Sequence, residues 1–249
     1  MIDVAFLGAH VRPAGTAVVI DVLRATSTIT LALASGYERV VVARGIDAAR
    51  ELRADGRVLA GEHECERPAD FDIGNSPEET LAPRGPELIL ATTNGAPAIL
   101  GALAVCDDVL VACLLNEDAV VEALASISGD ILLVAAGTNG AMSVEDVYLA
   151  GRLSAALEGP RTDAARIAEA VAAAYPEPID ALEASAGAIQ LHDVGLGRDV
   201  TFCSQVSITT VVPRVSRSLG EAAVLESSAP VAGAPIHGTT ATGASHQES

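Results

Sequence analysis

The chain has 249 residues, half of them hydrophobic, with 2% aromatic residues, no Trp and a formal net charge of −18. That length suits one large domain or two small ones, and a core limited to Ala, Val, Leu and Ile suits tightly packed α/β layers. All 15 basic residues are Arg, which excludes a Schiff-base lysine and a lysine-bearing phosphate loop. The acidic balance argues against nucleic acid and anionic membrane as partners.

Residues 2–7 predict a short strand and 12–15 a turn. The apolar run 17–20 leads straight into Asp21. A polar cluster, Arg24-Ala25-Thr26-Ser27-Thr28, then opens a periodic stretch that closes at Gly36. This reads as a buried strand, a short loop and a helix. Next come a strand at 38–42, an Arg-rich surface helix at 46–55 and a short strand at 57–60. Residues 61–86 break the rhythm with Gly, Pro and acids, and a long polar segment of that kind inside an α/β chain is often functional. Strands at 88–91, 109–114 and 131–135 then alternate with helices at 94–104, 116–126 and 143–157. Helical patterns follow at 163–174, 178–195 and 199–206, with a last apolar stretch at 210–213. From Glu226 the chain is small, polar and aperiodic, which predicts a disordered tail over 226–249 and one α/β domain over 1–225.

At least five strand-then-helix units imply a three-layer α/β/α fold with a mostly parallel sheet. TNGA occurs at 93–96 and again at 138–141, each time after an apolar strand, which suggests two similar halves facing one crevice. Ligands of open α/β sheets sit beyond the carboxyl ends of the strands. The candidate residues at those ends are Asp21, Arg24, Thr26 and Ser27; Glu62 and His63; Asn75 and Ser76; Thr92, Thr93, Asn94 and Gly95; Asn116; and Gly137, with Asp146 on the following helix.

Magnesium takes oxygen ligands, keeps several waters and often bridges to phosphate, so Asp21, Glu62 and Asp146, from three strand ends, are the candidate Mg²⁺ ligands. Arg24 and helix N-termini suit phosphate or sulfonate. The bland reading is an Asp21 that only caps a helix, with Arg24 as its surface partner. His63 is the one histidine inside a candidate loop; His10, His192, His237 and His246 lack supporting context. Cys65, Cys106, Cys113 and Cys203 show neither zinc nor disulfide spacing. The N-terminus lacks a charged n-region, and the apolar runs are strand length, so a soluble cytoplasmic protein is expected. The Ala-rich helix at 163–174 can pack internally or against a second copy, which leaves a homo-oligomer open.

VIDVLRATSTI at 19–29, FDIGNSP at 71–77, TTNG at 92–95, LLNEDAV at 114–120 and SVEDVYLAG at 143–151 resemble, in order, the 2-phosphosulfolactate phosphatases. The resemblance implies a Mg²⁺-dependent phosphatase that converts 2-phospho-3-sulfolactate to sulfolactate and phosphate, a step of coenzyme M biosynthesis. It also implies a site built from Asp21, Arg24, Glu62 and Asn94 as catalytic residues. Thr26, Ser27, His63, Asn75, Ser76, Thr92, Thr93, Gly95, Asn116 and Gly137 would contact a small anionic phosphorylated substrate. The family commonly has Arg where this chain has His63, Thr where it has Ala91 and Ala96, and Cys where it has Ala136. Two alternatives stay open. One is an aspartyl-nucleophile phosphatase of another substrate, against which Leu23 stands where a second Asp is usual. The other is a non-catalytic anion-binding protein on the same fold.

Overall fold

Short apolar runs, most of five residues, set the sheet. In the computed structural model, which describes residues 1–227, the order is β1 (Ile2–Ala5), β2 (Thr16–Ile20), α1 (Ala25–Ser35), β3 (Arg39–Ala43), α2 (Gly45–Glu51), β4 (Arg57–Gly61), β5 (Glu87–Ala91) and α3 (Gly95–Leu103). It continues with β6 (Asp108–Ala112), α4 (Glu117–Ala125), β7 (Ile131–Ala135), α5 (Val144–Ala156), α6 (Asp163–Ala174), α7 (Pro178–Glu183), α8 (Ala186–Asp193), α9 (Gly197–Cys203), β8 (Pro213–Ser218) and β9 (Ala222–Ser227). The strands form one sheet in the order β1-β7-β2-β6-β8-β9-β3-β5-β4. Five of the eight neighbouring pairs are parallel. The expected three-layer α/β architecture with a mostly parallel sheet is therefore present.

Apart from β8, the strands are buried on both faces along most of their length, as continuous apolar runs demand. Val18 and Ile20 of β2 pack with α4 to α9. Ala17 and Val19 face the other way, into a core shared with Ile29 of α1, Ile99 of α3 and the inner residues of β3, β4 and β5. Beneath β3 and β5, α2 covers a third cluster through Ala49. Local signals set the helix ends. Gly36, at φ +111°, turns its N–H back to Ala32 and Leu33 and ends α1. Thr162 caps α6 by accepting the Ala165 N–H.

Two segments depart from the predicted layout. The helix expected over 178–195 is two helices, because extended Ser185 accepts the Ala188 N–H and caps a new start. The larger departure is the hairpin β8–β9: the predicted apolar stretch 210–213 ends where β8 begins, and the short buried run Ala222–Leu225 belongs to β9. The hairpin's antiparallel pairing with β6 and β3 joins the two parallel groups. Strand β8 leaves Arg214 and Arg217 in solvent, so its sequence lacks a buried-strand pattern. Glu226 and Ser227 lie inside β9 and not in a tail; the rest of that tail, with His237 and His246, lies outside the described residues.

Three antiparallel steps leave the groups β1-β7-β2-β6 and β3-β5-β4 opposite in sense. These groups mix early and late strands, so they are not consecutive halves of the chain. Five strand-to-strand steps separate β2 from β5. At roughly 20–25° of twist per step, the sheet turns through about 100–125° over that span. The carboxyl ends of β2, β4, β5 and β7 consequently meet at one place. Among the described residues, no helix is long and apolar enough to cross a membrane.

Candidate active site

Asp21 leaves β2 and folds back onto α1. Its Oδ1 accepts the Ala25 N–H at 3.1 Å, and its carbonyl accepts the Thr26 N–H at 2.9 Å and the Thr26 hydroxyl at 2.8 Å. The start of α1, expected to be free for an anion, is thus largely spent on Asp21 itself. The other oxygen, Oδ2, accepts no hydrogen bond among the described residues. A Cβ at position 95 would stand 2.7 Å from it and 2.4 Å from the Ala25 Cβ, so α3 can approach this closely only with Gly95 at its first position. Burial, with the charge of Asp146 second, pushes the Asp21 carboxyl up to about 8.

Arg24 is buried, and its Nη1 donates to Asp199 Oδ2 at 2.7 Å. It is no surface partner of Asp21. Glu62, at the end of β4, accepts the Thr93 N–H at 2.9 Å and the Thr93 hydroxyl at 3.0 Å on Oε1, and the Cys65 N–H at 2.9 Å on Oε2. It pins the 62–65 turn to the end of β5. Thr92 Oγ1 accepts the Ala96 N–H at 3.0 Å and caps α3. Pro97 has no N–H, so among the described residues the N–H groups of Asn94 and Gly95 are those without a hydrogen-bond partner at this helix start.

The two TNGA copies touch, because Asn94 Oδ1 accepts the Asn139 N–H at 3.1 Å. They are not equivalent. The first opens α3, whereas the second closes a turn in which Thr138 and Ala141 bond to each other.

Asp146 holds structure with both oxygens. Oδ1 accepts the Val22 N–H at 2.9 Å and Oδ2 the Gly137 N–H at 3.0 Å, which ties the end of β2 to the turn after β7. Burial raises its carboxyl to about 6. Beside it, Glu145 is buried, with Oε2 unpartnered among the described residues, and burial lifts it to about 8. Asp21, Glu62 and Asp146 do not form one ligand cage: among the described residues, no group of three His, Cys, Asp or Glu side chains is set to hold a metal ion.

A cavity of about 500 Å³ opens over these strand ends. Asp21, Arg24, Glu62, His63, Asn75, Thr92, Thr93 and Asn94 line it. Asn75 is buried, with its carbonyl on the Thr28 hydroxyl at 2.9 Å and its side-chain oxygen unpartnered among the described residues. The other expected contacts stand outside this lining. Ser27 donates to the Val22 carbonyl at 2.8 Å, and Thr26 is spent on Asp21. Ser76 donates to Asp199 Oδ1 at 2.7 Å. Asn116 is fully buried, between the Cys113 N–H and the Val211 carbonyl, where it anchors the segment leading to β8. Gly137, at φ +75°, serves the turn that holds Asp146.

Residues 7–218 match the family model described as 2-phosphosulpholactate phosphatase. The chain belongs to this family. A relative from Thermus thermophilus, named probable 2-phosphosulfolactate phosphatase, is 35% identical over 226 residues, covering 88% of this chain and 95% of the relative. One from Pseudothermotoga lettingae with the same name is 38% identical, with 86% and 95% covered. One from Methanothermobacter thermautotrophicus, named 2-phosphosulfolactate phosphatase, is 36% identical, with 81% and 88% covered.

For a 2-phosphosulfolactate phosphatase family member, three groups at this site lay beyond sequence reasoning. Asp199 sits in α9, far along the chain from Arg24. Glu145 reads as an ordinary first-turn acid. Gly187, Gln190 and Leu191 of α8 wall the cavity, yet their pattern is that of any amphipathic helix. Only the spacing of Glu145 and Asp146 after the second TNGA was a local signal.

Proposed function

We propose that this chain hydrolyses the phosphate monoester of 2-phospho-3-sulfolactate, or of a similarly small acidic phosphoester, with Mg²⁺ held by Asp21 and Glu62. The observation that carries this reading is the meeting of an open Asp21 carboxylate oxygen, Glu62 and a buried guanidinium in one cavity of about 500 Å³. The donor set fits magnesium, which is commonly held by one or two carboxylates plus waters and substrate phosphate. Buried carboxylates crowded around Asp21 also favour a nearby cation electrostatically. When bound, Mg²⁺ polarises a phosphoryl oxygen and offsets developing negative charge.

The protein's own groups do the rest. Arg24 and the N–H groups of Asn94 and Gly95 orient the phosphoryl oxygens. Asp146, behind Asp21, fixes the backbone at Val22 and Gly137. The family membership and the names of the relatives support the same substrate class. The His63 position, where the family commonly has Arg, is where specificity among acidic esters is most open to change.

Phosphate release from 2-phosphosulfolactate and a panel of small phosphorylated acids, in Mg²⁺ and in EDTA, tests this. Turnover is expected in Mg²⁺, lost in EDTA and lost by about 10²-fold or more in Asp21→Asn. An Asp21→Asn protein as active as wild type, or no cleavage of any panel member, overturns it.

A further inference from the structure

The ion pair behind the cavity is not explained by folding alone. Arg24 and Asp199 are almost sealed from solvent, with side chains 3% and 0% exposed. Desolvating two charges costs about what their attraction returns, so an apolar pair of the same volume would serve the core as well. The contacts of Asp199 divide cleanly. One oxygen takes Arg24 Nη1 and the other the Ser76 hydroxyl, both at 2.7 Å. The first of these links residues 175 positions apart in the chain.

Arg24 opens α1, so its backbone is placed by the turn after Asp21. Its guanidinium is at the end of a long flexible side chain and needs a second fixed point. A guanidinium is planar, with five N–H donors in a rigid fork. One nitrogen held from behind orients the whole plane, and Arg24 is among the residues that line the cavity.

We propose that Asp199, steadied by Ser76, is a positioning residue that aims the Arg24 guanidinium at the phosphoryl group and balances its charge so that phosphate can leave. This rests on the reading of the cavity as a phosphate-ester site. Asp199→Ala removes both bonds. Asp199→Asn keeps the shape: its carbonyl oxygen can accept from Arg24 while its amide donates to Ser76 Oγ, so that only the charge is lost. Ser76→Ala removes the brace and leaves the ion pair.

The readouts are the affinity for inorganic phosphate by isothermal titration in Mg²⁺, kcat and KM for the cleaved ester, and circular dichroism to confirm folding. Asp199→Ala is expected to weaken phosphate binding and raise KM by the same factor, about ten- to a hundredfold. Asp199→Asn is expected to bind phosphate more tightly and to turn over more slowly, because product is retained. Ser76→Ala is expected to weaken phosphate binding by about threefold. A merely structural Asp199 would lower Tm while leaving phosphate affinity and KM of the folded protein unchanged, and that result overturns the proposal. If Asp199→Ala fails to fold, unchanged phosphate affinity in both Asp199→Asn and Ser76→Ala overturns it instead. If wild type cleaves no ester but the variants shift phosphate affinity as described, the anchor stands and the substrate assignment falls. If wild type binds no phosphate, both fall together.

Discussion

Asp21, Glu145 and Asp146 form a buried acidic knot whose behaviour depends on which oxygens are occupied. Residue types at strand ends were readable from the sequence, and eight of the expected site residues line the cavity. What could not be read was the allocation of their oxygens: Asp146 spends both on backbone N–H groups, whereas Asp21 keeps one open. The partner of Arg24 was equally hidden, because nothing local marks Asp199. The knot also makes a prediction. Asp21 and Glu145 are held up to about 8 and Asp146 to about 6, chiefly by burial. Their unfolded values lie near 4. Between those values the native state holds protons that the unfolded chain has released, so this contribution is complete below about pH 4 and is lost as pH rises toward 8. Metal-free protein is expected to melt at a higher temperature at about pH 5.5 than at about pH 8, and Mg²⁺ is expected to recover part of the loss at the higher pH. Thermal denaturation in EDTA measures this; a higher Tm at pH 8 would contradict it.

Strands were legible wherever a run of apolar residues is buried on both faces, as in β2, β5 and β7. The hairpin β8–β9 was not, because β8 is mostly solvated and owes its conformation to pairing with β9 and, at Leu110–Arg214, with β6. The break at Ser185 was hidden for a related reason: a cap inside a helix-period pattern changes direction without changing the period. Helices α5 and α6 pack closely through Gly151, where a Cβ would stand 2.0 Å from the Ala168 carbonyl oxygen. Gly151→Ala must push these two helices apart. It is expected to cost about 1–3 kcal/mol, read as a lower urea midpoint, while KM of the folded protein is unchanged because α6 is remote from the cavity. An unchanged midpoint would show that the two helices are less tightly coupled than their geometry requires.

The whole molecule carries a formal net charge of −18 and binds, on this reading, an anion. Long-range repulsion then opposes encounter, while the buried Arg24 acts only at short range. Salt screens exposed, distant charges far more than buried, close ones. Raising NaCl from about 10 to about 150 mM, at saturating Mg²⁺, is expected to increase kcat/KM for an acidic ester. A steady fall over that range would indicate an attractive field at the cavity mouth that outweighs the global charge.

The hairpin β8–β9 has a consequence for how the protein is made. It is the hydrogen-bonded seam between the two parallel groups of the sheet, and it comes late in the chain. Ribosomes deliver the polypeptide from its N-terminus, so the strands bearing Asp21, Glu62 and Thr92 emerge well before anything joins their two groups. Throughout that interval the nascent chain exposes the unzipped Val-rich edges of β3 and β6, the kind of surface that chaperones shield. Asp199 also emerges late, so Arg24 gains its anchor only near the end of translation.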